Sequence, residues 1–176
     1  MRILIFLMLI CQTEVVSAQN TYKLNDKSAM TISGSSTVHD WTVTANQMEG
    51  ALEMNANAIS KIGLTVPVDG IKSERGATMD KKMYAALKKD EYPSVHFQLQ
   101  EIKGTTILTG MLNIAGTEKS VQIVAEINPT SDAISIKGEK KLVLQDFGME
   151  PPTAMFGQIV VGDEVTVQFD LVFTKS

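Results

Sequence analysis

Val165-Thr166-Val167-Gln168-Phe169-Asp170-Leu171-Val172-Phe173 places an apolar side chain at every odd position and mostly polar ones between. That is the period of a β-strand with one buried and one wet face. The same alternation recurs in Val121, Ile123, Ala125 and Ile127 against Ser120, Gln122 and Glu126, and in Val95, Phe97 and Leu99 against His96, Gln98 and Gln100. Working outward, Met30 to Ser35, Trp41 to Ala45, Ala51 to Met54, Lys61 to Val68, Ile107 to Ile114 and Ala133 to Leu144 read as further strands. Asn128-Pro129 and Gly162-Asp163 serve as punctuation between strands. Eight to ten short antiparallel strands predict a sandwich or a barrel.

One segment breaks the rhythm. Between Ala77 and Asp90, Met79, Met83 and Leu87 recur every four residues with Ala86 beside them, which predicts a single amphipathic helix. Thr78 is the expected N-cap, Asp80 suits the positive end of the helix dipole, Lys88 and Lys89 the negative end, and Pro93 stops continuation. Lys81-Lys82 and Lys88-Lys89, seven apart, would share one side of that helix, as a solvated face or as a small patch attracting anions. Met79, Met83, Met111, Met149 and Met155 are candidates for a plastic apolar lining or for ordinary core filling.

The chain has 176 residues, enough for one core, with no linker or repeat to mark a second. Arg2, the apolar run Ile3 to Cys11 and Val16-Ser17-Ala18 form a secretory signal peptide, too short to span a bilayer. Residues 1–18 are therefore expected to be removed, leaving 19–176 as one barrel domain in the periplasm or secreted. Cys11, the lone cysteine, leaves with the signal, so disulfides, thiolate metal sites and thiol catalysis are excluded from the mature chain. A net charge of −4 argues against nucleic acid as a partner.

Chemistry-bearing residues are sparse. Ser35-Ser36-Thr37-Val38-His39-Asp40 offers hydroxyl, imidazole and carboxylate, but no G-x-S-x-G elbow surrounds the serines, and a polar turn explains the stretch as well. His39 and His96, the two histidines, have no metal-ligand spacing. Asp146-Phe147-Gly148 lacks every companion of a kinase motif and reads as a strand end followed by a loop. No catalytic or metal residue is assigned, and a small hydrolase using His39 with Asp40 or His96 stands as the enzymatic alternative.

Four motifs together carry a resemblance: S-G-S-S-T-V-H-D-W (Ser33 to Trp41), M-D-K-K-M-Y-A-A-L-K-K-D-E-Y-P-S-V-H-F (Met79 to Phe97), G-M-L-N-I-A-G-T-E-K-S-V (Gly110 to Val121) and D-F-G-M-E-P-P-T-A-M-F-G-Q-I-V-V-G-D-E-V-T-V (Asp146 to Val167). In this order they resemble the YceI-like family of exported proteins, over about Thr21 to Thr174. The resemblance implies an all-β fold with one helix: a lipocalin-like antiparallel β-barrel of about eight strands, its amphipathic helix over one end. It also implies a non-enzymatic binding protein that sequesters or carries a polyisoprenoid, such as a quinone tail or polyprenyl phosphate, with no cofactor. On that reading Trp41, Val43, Phe97, Leu99, Phe169 and Leu171 form wall or core, and Met83 and Leu87 touch the ligand from the helix. A filled barrel serving a structural or partner-binding role is the alternative, and a continuous cavity of several hundred Å³ separates the two. A transient membrane contact and a homodimer are compatible with the pattern, which sets neither.

Overall fold

β12 (Ile159–Lys175) is the longest strand, and its two edges organise the molecule. The structure, a computed structural model, describes residues 19–154 and 156–176; residues 1–18, which include Cys11 and where a signal peptide is expected from sequence, and Met155 lie outside the described residues. On one edge of β12 lies β10 (Ala133–Val143), in register from Ala133↔Thr174 to Val143↔Glu164. On the other lie β2 (Ala29–Ser36) and, further along, β1 (Gln19–Leu24), which pairs Tyr22 with Lys175.

The remaining strands are β3 (Trp41–Ala45), β4 (Glu49–Asn55), β5 (Ala58–Pro67), β6 (Ile71–Ser73), β7 (Ser94–Lys103), β8 (Ile107–Ile114) and β9 (Thr117–Pro129). β1 pairs with β4, β4 with β5, and the path continues β7-β8-β9-β10-β12 back to β1, so an eight-strand antiparallel ring closes and no sheet edge is left in it. β2, β3 and β6 extend the staves begun by β1, β4 and β5, pairing β12-β2-β3-β6. The far edge of β6 has no strand partner among the described residues, because β7 starts only at Ser94. The helix α1 (Ala77–Ala86) packs against β6 there.

Alternation places the core as expected. Phe173, Leu52 and Ile134 are fully buried and, with Tyr22, plug one end of the barrel. Large aromatic rings lie over glycines on neighbouring strands: a Cβ on Gly34 would meet Trp41 at 2.4 Å, one on Gly110 would meet Phe97 at 2.5 Å, and one on Gly138 would meet Phe169 at 3.0 Å. Flattening the rings against the wall keeps them out of the lumen.

Local corrections follow from hydrogen bonding. The N-cap of α1 is Gly76, not Thr78, and no side chain caps it. The helix ends at Ala86 because Lys88 adopts a left-handed φ of 51°. Lys89 N–H then bonds Tyr84 O (2.9 Å) and Lys88 N–H bonds Ala85 O (3.1 Å), a Schellman closure. Gly162-Asp163 does not separate strands but sits in an irregularity between Val161 and Val165 within β12. Asn128-Pro129 closes β9 just before the turn into β10, as expected, and Leu144 to Phe147 form a 3-10 turn closed by left-handed Gly148. The short strands β1, β6 and β11 (Thr153–Ala154) had no alternation long enough to read.

Candidate functional site

Above the plug the barrel is hollow. A cavity of about 290 Å³ runs between the staves and under α1, close to the roughly 300 Å³ at which small-molecule sites begin. Its wall follows strand parity: Val161, Val165, Val167, Phe169 and Leu171 from β12, Ile136 and Leu142 from β10, Ile62, Leu64 and Val66 from β5, and Met30 and Ile32 from β2. The helix contributes Met79, Lys82, Met83 and Ala86, and Leu87 follows at its end. Those side chains are half-buried, and Met83, Ala86 and Leu87 rest against the apolar clusters of the barrel while bordering the cavity.

Of the eight residues named from sequence, Trp41, Val43, Met83, Leu87, Phe97, Phe169 and Leu171 line this space. Leu99 does not; it belongs to the buried core. Among the methionines, Met30, Met79, Met83 and Met149 line it, and Met111 does not.

Two polar groups hold the helix in place. Asp80, buried within its first turn, accepts the Ser73 N–H at 2.8 Å and lies 3.9 Å from Lys72 Nζ. Tyr84 donates from its hydroxyl toward the carbonyls of Asp69 and Ile71 (both 3.1 Å) and accepts from Lys72 Nζ at 2.7 Å. The Tyr84 hydrogen bond, with the nearby Asp80 and Asp69 charges, raises the Lys72 pKa above the ordinary lysine value. The two lysine pairs do not form one patch: Lys82 donates to Thr153 O (3.0 Å), Lys89 lies 3.9 Å from Asp69, and Lys88 is past the helix end.

The mouth collects the few polar lining residues: Ser36, His39, Ser73, Arg75, Lys82 and Thr153. His39 Nε2 faces Arg75 Nη1, and since arginine only donates, that nitrogen carries the lone pair. The Ser36 hydroxyl donates to His39 O at 2.7 Å and sits 3.5 Å from its Nδ1. A triad would need a carboxylate on one imidazole nitrogen and a nucleophile on the other; here a cation occupies one side and Ser36 the other. His96 lies on the opposite face of the wall, beside Thr65 Oγ1 (3.2 Å), so the two histidines do not converge. Among the described residues no group of three or more His, Cys, Asp or Glu side chains could hold a metal.

Lys140 was missed from sequence. It lies on β10 opposite Val167, with the parity of Ile136 and Leu142, and it too lines the cavity. The signal was present: in Ile134, Ile136, Gly138, Lys140, Leu142 the inward register contains one cation.

A closed antiparallel barrel, plugged at one end, hollow below a helix and lined by apolar parity residues, defines a lipocalin-like cavity protein. The family model for the YceI-like domain matches residues 22–173, and the chain belongs to that family. The solved structures it is similar to include BcnA of Burkholderia cenocepacia (TM-score 0.67, 16% identity, 83% of this chain and 96% of that one). Others are a polyisoprenoid-binding domain from Saccharophagus degradans (TM-score 0.68, 11% identity, 88% and 98%) and a YceI protein of Campylobacter jejuni (TM-score 0.62, 18% identity, 76% and 84%). At these identities the likeness is one of fold. No curated protein sequence matches the chain.

Proposed function

We propose that this protein is an exported, non-enzymatic carrier that encloses a hydrophobic, isoprenoid lipid in its barrel. One observation carries the reading: a cavity walled almost wholly by apolar side chains, inside a barrel that could have been filled by them. Such surface left in contact with water forfeits about 25 cal/mol per Å², which an apolar occupant restores. The family and the polyisoprenoid-binding neighbour support the isoprenoid character of the tail, and the signal-like residues 1–18 support export. Transient contact with a membrane is supported by Val38, Phe156 and Val160, exposed on the lip beside the mouth.

Trp41 is the one tryptophan of the chain and lines the cavity, so its fluorescence reports occupancy. Titrating detergent-free protein with farnesol or a short-chain ubiquinone is expected to shift Trp41 emission saturably, and native mass spectrometry of protein from its own host to retain a lipid mass. Empty protein whose Trp41 emission ignores every isoprenoid would leave the filled-barrel role standing instead.

A further inference from the structure

The cations of the cavity are distributed in a way that an apolar container does not require. Although acidic residues outnumber basic ones, twenty to sixteen, the cavity lining among the described residues contains Arg75, Lys82 and Lys140 and no aspartate or glutamate. None of the three forms an ion pair within the described residues, whereas Lys137 and Lys141, the outward-facing neighbours on the same strand, meet Asp170 at 3.7 Å and Glu164 at 3.5 Å. Lys82 and Arg75 each give one hydrogen bond at the mouth, to Thr153 O and His39, and retain further N–H groups. Lys140 makes no hydrogen bond at all to a described residue and stands half-buried on an otherwise apolar inner face. An ammonium in that setting is costly unless a counter-charge or water meets it, and no ion-pair partner is present among the described residues.

We propose that the occupant is a single-tailed amphiphile with an anionic head group, carboxylate or phosphate, met by Lys140 together with Arg75 and Lys82, its tail lying toward Met30, Ile136 and Leu171. This rests on the carrier reading and deepens it by specifying the head. Glu74 and Asp40, chain neighbours of Arg75 and His39, do not line the cavity and leave its cationic character intact.

The test displaces a neutral fluorescent probe, N-phenyl-1-naphthylamine, with matched pairs: oleate against oleyl alcohol, and farnesyl phosphate against farnesol. The native protein is expected to prefer each anion by roughly tenfold to a hundredfold, the range that one or two charge-assisted hydrogen bonds provide. Lys140→Met, of similar length and suited to an apolar wall, should fold with an unchanged or higher Tm, abolish most of that preference and leave the alcohols bound as before; Arg75→Gln should reduce it partially. Equal affinity for anion and alcohol in the native protein overturns the head-group assignment while the carrier reading stands. Failure of all four lipids and of the probe overturns both. Inorganic phosphate binding as tightly as farnesyl phosphate would show an anion site without a tail, and would overturn the amphiphile. A preference that survives Lys140→Met removes that residue from the assignment.

Discussion

Trp41 resting on Gly34 shows how a single hydrogen atom sets the bore of the barrel. With a Cβ there 2.4 Å from the indole, the ring must rise into the lumen. Gly34→Ala is therefore expected to cost about 1–3 kcal/mol through overpacking, seen as a lower Tm, and to shift the emission of the lone tryptophan. Gly63→Ala is the control, since nothing lies within 4 Å of its added Cβ, and its Tm should hold. At this scale the sequence was legible where parity ran unbroken, and seven of the eight residues named from it border the cavity. Leu99 shares that parity and the buried cluster of Val43 and Leu171 yet does not border the cavity, and an alternating pattern does not distinguish the two positions. Lys140 went unread because an isolated charge in a strand is ordinarily assigned to the wet face, although its register with Ile136 and Leu142 opposed that.

The helix was legible as an element and misread at both ends, for a physical reason: its termini are set by backbone geometry at Gly76 and Lys88, not by the side-chain caps that sequence reveals. Its function as a roof depends on Asp80 and Tyr84. Asp80→Ala leaves the Ser73 N–H without its acceptor, a loss of about 1–3 kcal/mol when buried, and is expected to speed hydrogen exchange of α1 and ligand release together. Met83→Asp introduces a charge facing the cavity, so it should weaken lipid uptake by about tenfold or more, equal to ~1.4 kcal/mol, while lowering Tm little. A variant that unfolds while the parent binds no lipid would defeat this account of the helix. Lys72 adds a pH signature. Because its folded pKa is raised, chiefly by the Tyr84 hydrogen bond, its contribution is fully present below the ordinary lysine pKa and is lost only as pH rises beyond it. Uptake kinetics should therefore show no Lys72-dependent change from pH 6 to 9 and should accelerate above about pH 10.5, an acceleration absent from Lys72→Met.

For the whole molecule, ring closure and cavity together decide how ligand and stability are linked. Strand pairing from β12 to both β10 and β1 makes the barrel close irrespective of its contents, so the apo protein can fold on its plug of Tyr22, Leu52, Ile134 and Phe173. A ligand bound only by the folded barrel then adds stability by mass action, about 2.7 kcal/mol at a hundred times Kd. At roughly 2–4 °C per kcal/mol for a chain of this size, Tm should rise by about 5–10 °C. Leu64→Phe places extra volume from β5 into the same space, so it should raise the apo Tm or leave it unchanged and shrink the ligand-induced rise, because the cavity is then occupied covalently. If the native barrel showed no ligand-induced rise and Leu64→Phe were strongly destabilising, the interior would be close-packed in solution, and overpacking would replace filling as the explanation.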